Sequence, residues 1–529
     1  MAVLRPDSVF LGASVEPEYL ILNMGNRHGL ITGATGTGKT VSLQIIAEGF
    51  SNVGVPVFCA DVKGDLAGLA KEAEPKPAIL ERVEKIGLKD EYKSEAFPTI
   101  FWDLFGERGH PIRTTVSEMG PLLLARLLDL NETQEGVLNI VFRLADEEGL
   151  LLIDLKDLQA LLVYTAERAS DLSTRYGNVA KPTIGTIQRQ LLVLENQGGA
   201  NFFGEPGFEV ADLMRTTRDG RGMVSVLAAD KLMASPRLYA TFLLWFLSEL
   251  FEDLPEVGDP DKPRLIFFFD EAHLLFAEAP KALLEKVVQV VRMIRSKGVG
   301  VYFVTQNPLD IPDAVLAQLG NRIQHALRAY TPTELKAVTA AANSFRANPA
   351  FTTADAITSL AVGEALVSML RDKGVPSMVQ KTLIRPPSSR MGAITDSERQ
   401  AVITADPVGA IYDKTVDRES AFEVLAARVS AKTQAAPANQ APAPGTPAPQ
   451  QSGTGGGIGG VIGSIFGTSR PRGTRLTPTQ RVTREVTRTV TNRVAGNIAS
   501  GVGNAIGGSM GRSVGRAIVR GVLGGMLRG

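Results

Sequence analysis

The chain has 529 residues, 44% hydrophobic and 21% charged, enough to bury a substantial core as one large α/β domain with insertions or as two to three ordinary domains. Its single cysteine, Cys59, excludes an internal disulfide and fits a reducing compartment. The 56 basic and 56 acidic residues balance, but unevenly: residues 431–529 hold twelve basic residues and one acid, so a body of net charge −11 carries a tail of +11, which argues against a globally basic nucleic-acid footprint.

The start, MAVLRPDSVFLG, lacks the charged lead, apolar run and small-residue cleavage site of a signal peptide. No stretch approaches the ~18 uninterrupted apolar residues of a membrane span, so a cytoplasmic protein is expected. A short apolar run at 28–32, a glycine-rich turn, helical apolar spacing over 41–50 and a β-rich run at 55–60 predict the opening strand, turn, helix and strand of a parallel sheet. Residues 117–198 are rich in Leu at helical spacing and poor in β-branched runs, which predicts a helical insertion. Buried strands return at 223–228, 265–269, 299–305 and 323–327. A hairpin is predicted from 364–370 and 376–384, turning at Asp372, Lys373 and Gly374 and forming an antiparallel edge.

Beyond Ser430 the composition becomes Pro-, Ala- and Gly-rich, as in a flexible linker. Past it an apolar residue recurs at every fourth position from Val482 to Met526, accompanied by Gly503, Gly507, Gly511 and Gly515; this is one helical face with room for close backbone approach. So many glycines weaken an isolated helix, and the stripe needs a partner surface to form. The expected organisation is a first part of the core at 1–116, the helical insertion at 117–198, the second part of the core at 199–390, a C-terminal helical segment at 391–430, the linker at 431–480 and a basic glycine-rich tail at 481–529.

The chemistry is concentrated in a few segments. Gly33-Ala34-Thr35-Gly36-Thr37-Gly38-Lys39-Thr40 is a full G-x-x-x-x-G-K-T between a predicted strand and a helix that continues through Val41. Glycines let successive main-chain N–H groups converge on a polyphosphate, and the helix N-terminus adds positive potential. Lys39 then reaches the terminal phosphates, and Thr40 ligates magnesium. The apolar run Leu265–Phe269 delivers Asp270 and Glu271 at its carboxyl end, where open α/β sheets place ligands. Asp270 is expected to support Mg2+ and Glu271 to polarise the attacking water. Ala272 and His273 complete a DEAH string, but no other helicase boxes are evident and His273 is read as structural. After the next strand, Gln306 is expected to sense the γ-phosphate; the alternative is an ordinary turn before Pro308. Arg292, Arg295 and Lys297 lie near a helix end, either as partners of its dipole or, in a ring, as a source of an arginine for the neighbouring site.

The phosphate loop GATGTGKT, the segment Asp61-Val-Lys63-Gly64-Asp65, the FFFDEAH run and RSKGVGVYFVTQNPLDIP together resemble the HerA/FtsK superfamily, in particular the bacterial HerA-like, YjgR-type ATPases, over most of residues 10–386. The resemblance implies a RecA-like core, a hexameric ring with ATP sites between subunits, movement of double-stranded DNA, and an arginine finger matching Arg295. It also has limits. Residues 1–32 are too few for the small β-barrel that archaeal HerA proteins carry ahead of the phosphate loop, and the membrane anchor and winged-helix module of chromosome-pumping members have no obvious counterpart. The leading expectation is an ATP-hydrolysing DNA translocase or helicase-like motor. The alternative is an ATPase acting on protein or at a membrane surface, recruited through the tail, where Arg512, Arg516, Arg520 and Arg528 flank the apolar stripe.

Overall fold

Runs of β-branched and aromatic residues build one twelve-stranded sheet in the computed structural model, which describes residues 4–74, 76–276 and 281–435. The strands are β1 (Ser8–Ala13), β2 (Pro17–Ile21), β3 (Gly29–Thr32), β4 (Val57–Asp61), β5 (Thr99–Asp103), β6 (His110–Pro111), β7 (Val224–Ala228), β8 (Leu265–Phe269), β9 (Val299–Thr305), β10 (Asn321–Gln324), β11 (Glu364–Ser368) and β12 (Gln380–Ile384). Their order across the sheet is β2-β1-β12-β11-β10-β3-β9-β8-β4-β7-β5-β6. From β10 to β6 all neighbours are parallel, and from β2 to β10 they are antiparallel.

Strands β4, β5, β7, β8 and β9 are buried at every position, which is why they read as continuous apolar runs rather than alternating ones. Alternation persists in where the side chains go. Phe267 and Phe269 join one core, with Phe58 and Phe246, while Ile266 and Phe268 join the other, with Ile31, Leu43, Ile46 and Phe50. Helices therefore cover both faces: Lys39–Asn52 on one, Pro236–Asp253 on the other.

The expected insertion comprises the helices Val116–Leu127, Glu132–Glu148, Leu155–Glu167, Ala169–Tyr176 and Lys181–Asn196. Three of their starts are fixed by reciprocal capping boxes, Thr115 with Glu118, Asn131 with Gln134 and Asp154 with Asp157. Its leucines do not form a separate core. Leu124, Leu138, Leu161 and Leu191 belong to the same buried cluster as Trp245, Phe246 and Phe269, so the insertion is packed onto a face of the sheet. Residues Met1–Arg428 form one compact unit; the unit that begins at Val429 lies almost wholly outside the described residues.

The class expected from the sequence, an α/β RecA-like P-loop core with a mostly parallel sheet and a helical insertion, is the observed one. Two expectations need correction. The β11–β12 hairpin is antiparallel and turns at 372–374, but it is not an edge. An unforeseen hairpin, β1–β2, extends the sheet beyond it, with Gly12 of β1 opposite Ile384; a Cβ there would lie 2.0 Å from the Leu383 carbonyl oxygen, so the pairing requires glycine. The predicted strand 323–327 is instead Asn321–Gln324, because Ala326 has left the ladder to accept the Ala34 N–H at 2.8 Å behind the glycine-rich turn. Strand β5 was not foreseen. The linker at 431–480 and the tail stripe from Val482 to Met526 lie outside the described residues, apart from the end of the helix Ala421–Ala435. No helix among the described residues is long and apolar enough to cross a membrane.

Candidate active site

Parallel register brings the predicted segments to one edge of the sheet. Thr32 of β3 pairs with Thr305 of β9, Phe269 of β8 with Phe303 of β9, and Phe269 with Ala60 of β4. Because β9 lies between β3 and β8, Gln306 emerges between the glycine-rich turn and the two acids.

The turn from Gly33 to Gly38 leads into the helix Lys39–Asn52, which starts with Lys39 and Thr40 and packs Val41 against the core. Gly33, Gly36 and Gly38 have φ of 152°, 77° and 120°, a region that favours glycine. Behind the turn stands His325, fully buried; a Cβ on Gly33 would meet its Cβ at 2.5 Å. His325 Nδ1 is 3.0 Å from the Glu364 carbonyl oxygen and so donates, leaving Nε2 to accept from Ser42 Oγ at 2.8 Å. Burial pushes its pKa down to about 4. Lys39 folds back over the turn and donates to the carbonyls of Gly33 (2.7 Å) and Ala34 (3.1 Å). Burial lowers its pKa. Thr37 Oγ1 donates to Ala34 O at 2.7 Å, and Thr35 Oγ1 donates to Gln306 Oε1 at 3.4 Å.

Across from the turn, Asp270 is buried, and burial beside the carboxylates of Glu271 and Asp61 raises its pKa to about 7. Asp61 is itself raised to about 6 by burial, although it accepts the N–H groups of Gly64 (2.8 Å) and Leu66 (3.1 Å). Glu271 is held at φ 48°, an uncommon backbone conformation for a side chain of its size. Its Oε1 accepts from Lys63 Nζ at 2.5 Å; near Oε2 lie Gln306 Nε2 at 3.4 Å and His273 Nδ1 at 3.3 Å. Burial alone would raise the Glu271 pKa, but the hydrogen bond and charge of Lys63 outweigh it and the net shift is downward.

Thus Lys39, Asp270, Glu271 and Gln306 converge with the glycine-rich turn, and Arg295 does not. It sits in a turn, Arg295–Lys297, before the N-terminal end of β9, and Gln306 follows the other end of this seven-residue strand. At about 3.3 Å per residue the two are about 23 Å apart along the strand. Arg295 Nη2 bonds Asp259 Oδ1 at 3.2 Å, and the other oxygen of Asp259 takes Arg27 at 3.0 Å. His273, read as structural, lies with Nδ1 3.3 Å from Glu271 Oε2. Sequence reading missed what Lys63 and His325 touch. Lys63 had a signal, its place just after a strand end in Asp61-Val-Lys63-Gly64-Asp65; His325 had none, because its neighbours come from the distant Ser42 and Glu364.

The profile of the family described as "Helicase HerA-like C-terminal" matches residues 11–529. No curated protein matches the chain. Among solved structures, the bacterial conjugative coupling protein TrwBdeltaN70, in an unbound form, is 15% identical with a TM-score of 0.45, over 73% of this chain and 92% of that one. VirB4 of Thermoanaerobacter pseudethanolicus is likewise 15% identical with a TM-score of 0.45, over 73% of this chain and 98% of its own. The plasmid coupling protein TrwB in complex with ADP and Mg2+ is 16% identical with a TM-score of 0.41, over 70% of this chain and 88% of its own.

Proposed function

The chain belongs to the HerA-like helicase C-terminal family of P-loop ATPases, and from that premise we propose that it is an ATP-driven ring motor, a homo-hexamer in the cytoplasm that moves double-stranded DNA. The observation that carries the hydrolytic part is the sheet order. With β9 between β3 and β8, the phosphate-binding turn, Gln306 and the Asp270–Glu271 pair line a single opening.

In this reading the turn and helix start from Gly33 to Val41 cradle the phosphates of ATP through their main-chain N–H groups, except that of Ala34, which is spent on the Ala326 carbonyl, and Lys39 exchanges the carbonyls of Gly33 and Ala34 for terminal phosphate oxygens. Thr40 and Asp270 would hold Mg2+. Their hydroxyl and carboxylate oxygens suit a hard cation, and the buried crowding of Asp270 against Asp61 and Glu271 is relieved by one. Held there, the ion would supply charge neutralisation to the phosphates. Glu271 orients a water and draws on its proton as the water oxygen bonds to the γ-phosphorus. The bond from that phosphorus to the β-phosphate oxygen breaks, giving ADP and inorganic phosphate. Gln306 contacts both Glu271 and Thr35, which supports its role in reporting whether the γ-phosphate is present. The distance of Arg295 from its own site supports action on a neighbouring subunit's nucleotide.

Duplex DNA, the proposed cargo, must meet basic groups lining a channel, because the body as a whole is acidic. The test is ATP turnover of the full chain with and without duplex DNA at low and moderate salt. Stimulation that weakens as salt rises is expected; no stimulation and no binding at low salt removes DNA as the substrate. The charge asymmetry of the chain favours a second reading, an ATPase recruited to protein or anionic lipid by its +11 tail. A chain ending near Ser430 that keeps its lipid binding, assembly size and turnover would eliminate that role for the tail.

A further inference from the structure

The residue nearest the hydrolytic carboxylate is one the phosphate-loop chemistry does not use. Lys63 Nζ lies 2.5 Å from Glu271 Oε1, whereas both contacts at Oε2 are 3.3 Å or longer. The pair is asymmetric in burial: the Lys63 side chain is 42% exposed and that of Glu271 4%. An ion pair between two exposed groups contributes little, but here one partner has few other groups to hold it.

Geometry distinguishes the two carboxylate oxygens. Gln306 touches Oε2 and also Thr35 of the phosphate loop, so Oε2 is the oxygen linked through Gln306 to that loop, whereas Oε1 is the one that Lys63 holds. The backbone of Glu271, at φ 48°, is a conformation that persists only where its surroundings enforce it. Lys63 is delivered from a turn that is itself fixed, since Asp61 accepts the N–H groups of Gly64 and Leu66 and Gly64 adopts φ 78°.

We propose that Lys63 is a positioning residue for hydrolysis: it grips Glu271 by Oε1 and so presents Oε2 to the attacking water. This rests on the reading of Glu271 as the group that orients that water. A displaced base leaves nucleotide binding intact and slows the chemical step.

The experiment compares full-length wild type, Lys63→Met, Lys63→Arg, Glu271→Gln and the Lys63→Met/Glu271→Gln double variant, each checked for an unchanged melting transition. Turnover of Mg-ATP and equilibrium binding of a slowly hydrolysed ATP analogue are the readouts. Lys63→Met should lower kcat by about tenfold to a hundredfold with analogue affinity unchanged. Lys63→Arg should recover most of the loss, and the double variant should be no slower than Glu271→Gln, because the grip has no effect once the base is gone. Wild-type or faster turnover in Lys63→Met, or losses that multiply in the double variant, would overturn the proposal. Should Glu271→Gln itself turn over like wild type, the assignment of the base fails; should it fall while Lys63→Met does not, only the role of Lys63 fails.

Discussion

His325 closes the phosphate loop from behind, and its surroundings dictate its protonation. Nδ1 donates to a carbonyl and Nε2 of the neutral ring accepts from Ser42; burial disfavours a second proton, which would also add charge near Lys39. Its folded pKa of about 4 lies below the ordinary value of 6.5. The unfolded chain therefore takes up a proton first, and the contribution of His325 to stability is lost as pH falls from about 6.5 to about 4. Asp61, Asp154 and Asp270, raised by burial to about 6, 6 and 7, act oppositely, since their contributions are lost as pH rises through that range. A single-residue comparison isolates the histidine. The stability gap between wild type and His325→Asn, measured by urea unfolding, should narrow between pH 7.5 and pH 4.5 by up to roughly 3 kcal/mol; a constant gap would show that the ring is not held neutral. Lys39, Thr40, Asp270, Glu271 and Gln306 were legible from spacing within short segments. The contacts of Lys63 and His325 were not, since each reaches a residue more than two hundred positions away.

At the scale of elements, the helix that follows the phosphate loop is fixed to the chain beyond β12 by a buried charge. Glu48 on Lys39–Asn52 is fully buried and accepts from Arg385 Nη2 (2.9 Å), Ser388 N (3.0 Å), Ser389 N (2.9 Å) and Ser389 Oγ (2.7 Å). Removing one partner leaves a carboxylate out of reach of water, which costs far more than the pair itself contributes. Arg385→Met should therefore destabilise the protein by about 3–5 kcal/mol, seen as a lowered denaturation midpoint, while the paired change Glu48→Gln with Arg385→Met should recover part of the loss. Equal destabilisation by the single and double changes would mean that packing, not charge, is at stake. Element starts written as local chemistry, such as the capping box of Asn131 and Gln134, agree with the leucine spacing that predicted the insertion. Strand β5, TIFWD, was not predicted because three apolar residues between Thr99 and Asp103 are too few for either helical or strand periodicity to stand out.

At the scale of the whole molecule, the distance between Arg295 and Gln306 separates two ends of the sheet, and a ring is the arrangement that would reunite them. Asp259 pairs with both Arg27 and Arg295 in the single chain, so the proposed action on a neighbouring site would require the arginine to exchange this partner for phosphate. Arg295→Ala and Lys39→Ala should each be inactive alone. Mixed together, they should regain ATP turnover wherever a Lys39→Ala subunit lends its arginine to the intact site of its neighbour. Mixed assemblies, verified by size, that remain inactive would refute action between subunits.

What the sequence determined by itself is the chemistry that succession along the chain is able to encode. A glycine-rich turn before a helix presents main-chain N–H groups suited to phosphate, and an apolar strand ending in two acids delivers them together, because main-chain amides and adjacent side chains share covalent neighbours. Only the tertiary structure decided which strands lie side by side, that the Lys63 ammonium meets Glu271, that an added hairpin extends the sheet past β12, and that Arg295 pairs with Asp259 at the opposite end of β9 from Gln306. Those outcomes follow from burying both faces of one sheet through crossover connections, a constraint satisfied by the entire chain at once and written in none of its segments.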